Sequence, residues 1–245
     1  MRVALIGDIH ANLPALEAVL EHSAKLDANE IWNTGDFIGY GPFPEETIQR
    51  IRSLASLSIL GNYDRKVLQV PEKLTRWQAR KHPQKILAFR WAYEQLSAES
   101  RSYLAALPEQ RSFTIEGLQI LLTHGSPASR DEPLTPTTPE KRLAELAAMT
   151  PANLIICGHS HKPFVRKVGE TWFINTGSVG RPDDGDPRAC YAILYIESNQ
   201  IGVCHFRLSY DLQKTVKAIH DRKLPEDFAD MVINGVPLDR VHRMK

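Results

Sequence analysis

The sequence predicts a mixed α/β fold, and three observations carry the prediction. Short apolar runs alternate with helical patterns near the start, a helix-only stretch follows, and the second half is dense in short strand-like runs. With 245 residues, 42% hydrophobic and 24% charged, the chain can bury a substantial core and has an ordinary globular composition.

Residues 2–7 read as a buried strand and Leu13–Lys25 as a helix with Leu13, Leu16, Val19 and Leu20 on one face. Asn12 is its predicted N-cap, and Pro14 fits the first turn. Residues 31–33 form the next strand, 45–54 the next helix after Pro42 and Pro44, and 57–60 a third strand. This βαβαβ start implies parallel strands joined by right-handed crossovers.

Residues 64–108 read as helical, with Ile86, Phe89, Tyr93 and Leu96 on one face. Trp77, Arg80, Lys81, Lys85 and Arg90 add aromatic and basic groups. Two readings stand: a packed insertion with solvated charges, or a cap that helps select anionic substrates. Strands are expected at 112–115 and 119–123 around Gly117. A Pro/Thr loop at 127–139 leads to a helix at 140–149. Further strands follow at 154–157, 164–168, 171–175, 189–196 and 201–209. A helix over 211–222 closes the pattern, and the tail, with Pro225 and Pro237, is weakly patterned. One domain over 1–245 is expected, with the cap-like insertion at about 65–108 and the C-terminal helix and tail at 211–245.

A net charge of +1 gives no overall attraction to nucleic acid or anionic lipid, although a local basic patch would. No apolar run is long enough to span a bilayer. The N-terminus lacks the pattern of a secretory signal. Cys157, Cys190 and Cys204 lie in strand-like runs and read as buried thiols of a cytoplasmic protein, with a metal role for Cys157 as the alternative.

The informative residues stand where strands end. They are Asp8 and His10 after the first strand, Asp36 after the second, Asn62 with Tyr63 and Asp64 after the third, then His124, His159 and His161. Ligands of open α/β sheets bind beyond the carboxyl ends of strands, so these side chains are expected in one crevice. Carboxylates, imidazoles and an amide oxygen suit first-row divalent ions. A core would not collect such groups, because each carries a desolvation cost. His22, His82, His205, His220 and His242 fit no such pattern and read as surface or helix histidines.

In order, these motifs (Asp8-Ile9-His10, Gly35-Asp36, Gly61-Asn62-Tyr63-Asp64, His124, Gly158-His159-Ser160-His161) resemble the calcineurin-like metallophosphoesterase superfamily. Residues 36–42 and 175–188 are similar to segments of its small prokaryotic phosphodiesterase-type branch. The resemblance implies a four-layer αββα sandwich of two β-sheets flanked by helices. It implies two divalent metal ions, manganese foremost, with iron, zinc, nickel or cobalt as alternatives. Asp8, His10 and His161 would hold one ion, Asn62, His124 and His159 the other, and Asp36 would bridge them. The implied reaction is phosphoester hydrolysis by a hydroxide held between ions about 3.5–4 Å apart, on a small phosphorylated substrate.

Tyr63 departs from the family, whose larger branches have histidine there. A phenol (reference pKa ~10) is a poorer proton donor than an imidazolium (~6.5), and loss of acid catalysis costs ~10²–10⁴ in rate. Diesters or activated esters are therefore expected, unless Tyr63 instead hydrogen-bonds the phosphate. Arg181 and Arg188 would contact phosphate oxygens or pair with Asp183, Asp184 or Asp186. Asp64 would orient a neighbour. Rival readings are a phosphomonoesterase or protein phosphatase, a dinucleoside-polyphosphate hydrolase, a non-catalytic scaffold and a nuclease.

Overall fold

The computed structural model describes residues 1–197 and 200–244. The chain opens with β1 (Arg2–Ile6), α1 (Leu13–Lys25), β2 (Glu30–Asn33), α2 (Pro44–Arg52) and β3 (Ser56–Ser58). Four helices follow: α3 (Asn62–Leu68), α4 (Val70–Gln78), α5 (Pro83–Gln95) and α6 (Ala98–Ala106). Then come β4 (Gln110–Ile115), β5 (Leu118–Thr123), α7 (Glu140–Ala147), β6 (Leu154–Cys157), β7 (Phe164–Val168) and β8 (Thr171–Asn175). The last elements are β9 (Ala189–Glu197), β10 (Gln200–Leu208), α8 (Leu212–Asp221), α9 (Glu226–Asn234) and α10 (Leu238–Met244).

The strands form two five-stranded sheets, ordered β10-β9-β1-β2-β3 and β4-β5-β6-β8-β7. In the first, β1 pairs parallel with β2 and antiparallel with β9. In the second, β6 is parallel to both β5 and β8. Successive strand residues face opposite ways, and both faces of β1 are covered, which explains why it is apolar from Val3 to Ile6. Val3 and Leu5 pack between the sheets with Leu122, Ile156, Ile174 and Leu194. Ala4 and Ile6 face outward onto Leu16 and Val19 of α1. The outer face of the second sheet, through Leu121, Ile155 and Phe173, is covered by Leu143 and Leu146 of α7. The layers are therefore helix, sheet, sheet, helix, as the resemblance implied. Trp32, fully buried, meets Phe113 edge-on at 4.9 Å across the inter-sheet core.

Asn12 caps α1 through its side-chain oxygen, and the helix keeps the bounds its caps predicted. The sequence left one segment open, and one expectation needs correction. The tail is ordered: Phe228, Ala229 and Met231 of α9 and Leu238 and Val241 of α10 are buried in one cluster with Ile219 of α8. Each helix is short, so its apolar face makes sense only once α5 and α8 lie against it; Lys85 of α5 pairs with Asp239 at 2.9 Å. Cys157 and Cys190 are buried, but Cys204 is exposed. It sits on the outward side of β10, an edge strand whose residues alternate in exposure. Among the described residues, no helix is long and apolar enough to cross a membrane.

Candidate metal centre

The parallel strands β1, β2, β5 and β6 all deliver their carboxyl ends to one side, and α3 starts there just after β3. The turns that follow are tight. Asp8, His10, Asp36, His159 and His161 all have φ between +48° and +65°, in the left-handed region. Non-glycine residues seldom adopt it, and such strain gathers at functional sites. Two glycines are required by close approach. A Cβ on Gly158 would stand 2.5 Å from Asp8 Oδ2, and one on Gly61 would stand 2.1 Å from Asp36 Oδ1.

These turns bring buried donor atoms together. Ligand atoms of Asp8, His10 and His161 lie within 4.8 Å of one another, and so do those of Asp8, Asp36 and His124. His161 Nε2 is 3.2 Å from both Asp8 Oδ1 and His10 Nε2. Asp36 Oδ2 stands 3.4 Å from His124 Nε2 and 3.8 Å from His10 Nε2. The His159 ring lies 5.1 Å from that of His124.

Several of these groups are held from behind. His124 Nδ1 lies 2.8 Å from the Thr34 carbonyl and His161 Nδ1 2.7 Å from that of Arg181. A carbonyl only accepts, so both Nδ1 atoms carry hydrogen and both Nε2 atoms turn inward as lone pairs when neutral. Asp8 Oδ2 accepts from His159 N at 2.9 Å, and Asp36 Oδ1 from Tyr63 N at 2.7 Å. Asn62 Nδ2 donates to Asp131 Oδ1 at 2.9 Å. In this donor set, Asp8 Oδ1, His10 Nδ1, Asn62 Oδ1 and His124 Nε2 are buried without a hydrogen-bond partner. A donor set of this kind, oxygen and imidazole nitrogen together, fits divalent first-row cations. Unpaired buried polar atoms are costly unless a ligand completes them.

Electrostatics agree with that fit. Burial opposes the charge on Asp36, yet His124 and His10 hold its carboxyl far below the usual range. Burial also opposes charge on His124, but Asp36 overrides it and lifts the imidazole to about 9. His10 is pushed well below 6.5 by burial and then by Arg181. His159 is pushed down by burial and then by His124. The Asp64 carboxylate accepts from the N–H groups of Asp36 (2.8 Å), Gly61 (3.0 Å) and Ile38 (3.2 Å). Burial and then Asp36 raise it to about 8.

Tyr63 packs edge-on against His10 with centroids 5.1 Å apart, and its hydroxyl donates to that of Tyr40 at 3.4 Å. The Arg181 guanidinium lies 4.9 Å above the Tyr40 ring and 5.7 Å from the Tyr63 ring. Arg188 is elsewhere. It is exposed and committed to Asp186 at 2.6 Å, the ion-pair outcome of its two readings, because the two lie in one tight turn. Three of the four basic residues singled out in the insertion are likewise engaged on its surface. Lys85 pairs with Asp239, Arg90 with Glu94 at 3.5 Å, and Lys81 rests on Trp77. Two supports, Asp131 and the Thr34 carbonyl, carried no sequence signal beyond the polarity of Asp131. His205 is structural; its Nε2 donates to the Asn175 carbonyl at 2.7 Å and so ties β10 to β8.

Comparison with known proteins agrees with this geometry. The family described as the calcineurin-like phosphoesterase superfamily domain matches residues 1–199. A crystallised metallophosphoesterase from Sphaerobacter thermophilus is 31% identical, covers 96% of this chain and 100% of its own, and superimposes with a TM-score of 0.77. An uncharacterized protein of Methanocaldococcus jannaschii is 30% identical over 95% of this chain and 98% of its own. The phosphodiesterase YfcE of Escherichia coli is 28% identical over 79% of this chain and 87% of its own. The chain belongs to the calcineurin-like phosphoesterase superfamily and is a metal-dependent hydrolase of phosphoesters.

Proposed function

We propose that the seven side chains Asp8, His10, Asp36, Asn62, His124, His159 and His161 hold two divalent cations, manganese foremost, with Asp36 between them. The reaction is hydrolysis of a small phosphodiester or activated phosphate ester. The observation that carries this reading is the trio of buried, unpaired atoms Asp8 Oδ1, Asn62 Oδ1 and His124 Nε2, each backed by a partner on its other side. When bound, the two ions acidify water and neutralise charge on the phosphoryl oxygens.

The remaining residues bind and orient. Arg181 is held cationic, burial notwithstanding, by Tyr63, Tyr40 and Asp183. Beside His10 it is placed to attract a phosphoryl oxygen, and its carbonyl fixes the His161 ring. Tyr63 forms the floor against His10. With no imidazole at that position, a good leaving group has the advantage.

Metal analysis and kinetics test the reading together. The manganese-loaded chain should hydrolyse bis(4-nitrophenyl) phosphate, chelation should abolish the rate, and Asp36→Asn should lose both metal and activity. A folded Asp36→Asn protein with full metal content and unchanged rate would sink it.

A further inference from the structure

Beside the metal centre lies a second opening. Asn62, Arg65, Lys66, Lys73, Arg130 and Asp131 line a cavity of about 230 Å³. Asn62 belongs to the candidate metal set, so the cavity and the centre share a wall. By contrast, a wider cleft of about 550 Å³ between α1 and residues 209–214 contains none of the site's side chains.

The cavity gathers positive charge at some cost. Arg130 has a side chain only 11% exposed, and it pairs with Glu109 through Nη2 while its Nε and Nη1 have no partner. Lys73 donates to the neutral Gln69 at 2.9 Å and has no ion-pair partner among the described residues. Lys66 rests on the Tyr63 ring, 5.0 Å from its centroid, with its Nζ 3.8 Å from Asp131. Arg65 pairs with Glu109 at 2.8 Å. Four cations thus face two carboxylates, and one of those, Asp131, also accepts from Asn62. Leaving a guanidinium buried and partly unsatisfied is unfavourable unless an anion completes it. Several convergent donors suit a phosphate, with its multiple acceptor oxygens and high charge, better than a lone carboxylate.

We propose that this cavity is a subsite for a second phosphoryl group of the substrate. It rests on the hydrolase reading above and narrows it to esters carrying a phosphoanhydride, such as nucleoside diphosphate esters. One phosphorus is held at the metal centre and takes up the oxygen of one water as its bond to the leaving oxygen breaks. The other phosphate sits against Lys66, Lys73 and Arg130, and the released proton leaves with the products.

The test compares two probes on the manganese-loaded full chain: the 4-nitrophenyl ester of thymidine 5′-monophosphate and that of thymidine 5′-diphosphate. Chromatography follows their consumption. The diphosphate is expected to show at least about tenfold higher kcat/KM. Lys73→Ala and Lys66→Ala should each cut that preference about tenfold, the worth of one charge-assisted contact, while Lys73→Arg retains it. Equal kcat/KM for the two probes would overturn the subsite. So would a preference unchanged in both alanine variants with normal thermal unfolding. If the wild type consumes neither probe, the hydrolase reading itself fails and takes the subsite with it.

Discussion

The side-chain amide of Asn62 is oriented by Asp131: Nδ2 donates to the carboxylate at 2.9 Å, and Oδ1 is left buried and unpaired. An amide can flip, and only one orientation offers oxygen to a cation. Asp131 lies 69 residues further along the chain, so the loop after β5 decides which atom Asn62 presents. Asp131→Ala should weaken metal binding by about 10–100-fold, the usual cost of losing an outer partner of a ligand. Titration calorimetry of the metal-free protein measures it. Wild-type affinity in a folded Asp131→Ala protein would refute the orienting role.

Proton release should accompany metal uptake. Asp36 lifts His124 to about 9 against the opposing effect of burial. Its imidazole is therefore protonated at neutral pH in the metal-free protein, and a cation must displace that proton. His10 and His159, both lowered, are already neutral and add none. Metal affinity should rise about tenfold per pH unit between about 6.5 and 9 and then level off. The stability linked to His124 runs the other way. Its folded value is raised, so the contribution in the metal-free protein is complete below about 6.5 and fades as pH climbs through about 9. Calorimetry at pH 7.5 in two buffers of different ionisation enthalpy should count at least about one proton released, since Asp64, raised to about 8 in part by Asp36, can add to the one from His124; none released would contradict the assignment.

How much of this was legible in the sequence depends on where each signal lies. The α1 boundaries follow from Asn12 and Pro14 because capping is local. The strand-end Asp and His residues could be read because glycine turns mark strand ends, and parallel topology sends those ends one way. Asp131 could not be read. It sits in a Pro/Thr loop, and its role exists only once that loop reaches α3. α9 and α10 were equally opaque, since Phe228 finds its partner in Tyr40, far away in sequence, at 5.1 Å. The insertion drew attention to the wrong cations: Lys66 and Lys73 stand by the site, while Lys85 and Arg90 are engaged elsewhere.

Gly61 should tolerate no side chain. A Cβ there would meet the Asp36 backbone nitrogen and Oδ1, both at 2.1 Å. Backbone on one side and the Asp36 carboxylate on the other leave no room to relax. Gly61→Ala should cost about 1–3 kcal/mol of stability, the usual price of overpacking, and should also displace Asp36. Chemical denaturation in chelator reads the first effect, and metal content after dialysis reads the second. Gly169, whose Cβ would meet nothing within 4 Å, is a control for space but not for backbone, since its φ is +56°. Unaltered metal content in Gly61→Ala would show that Asp36 has freedom to move.

Tyr63 separates substrates by leaving group. Its ring is pinned between His10 (5.1 Å) and Phe89 (5.1 Å), and its hydroxyl is engaged by Tyr40 at 3.4 Å and by the Arg181 guanidinium. That position supports the ring's packing role more than proton transfer. Tyr63→Phe should therefore keep the rate on bis(4-nitrophenyl) phosphate within about threefold, because 4-nitrophenolate departs without an acid. Tyr63→His restores an imidazole beside the centre and should raise the rate on an alkyl ester by about 10²-fold, the lower end of what a general acid contributes. The aryl rate should change little. A plot of log rate against leaving-group pKa makes the comparison: steep for the wild type and Tyr63→Phe, flatter for Tyr63→His. If Tyr63→Phe alone loses 10² or more on alkyl esters while the wild type handles them well, the phenol is itself the proton donor, and the bias toward good leaving groups is wrong.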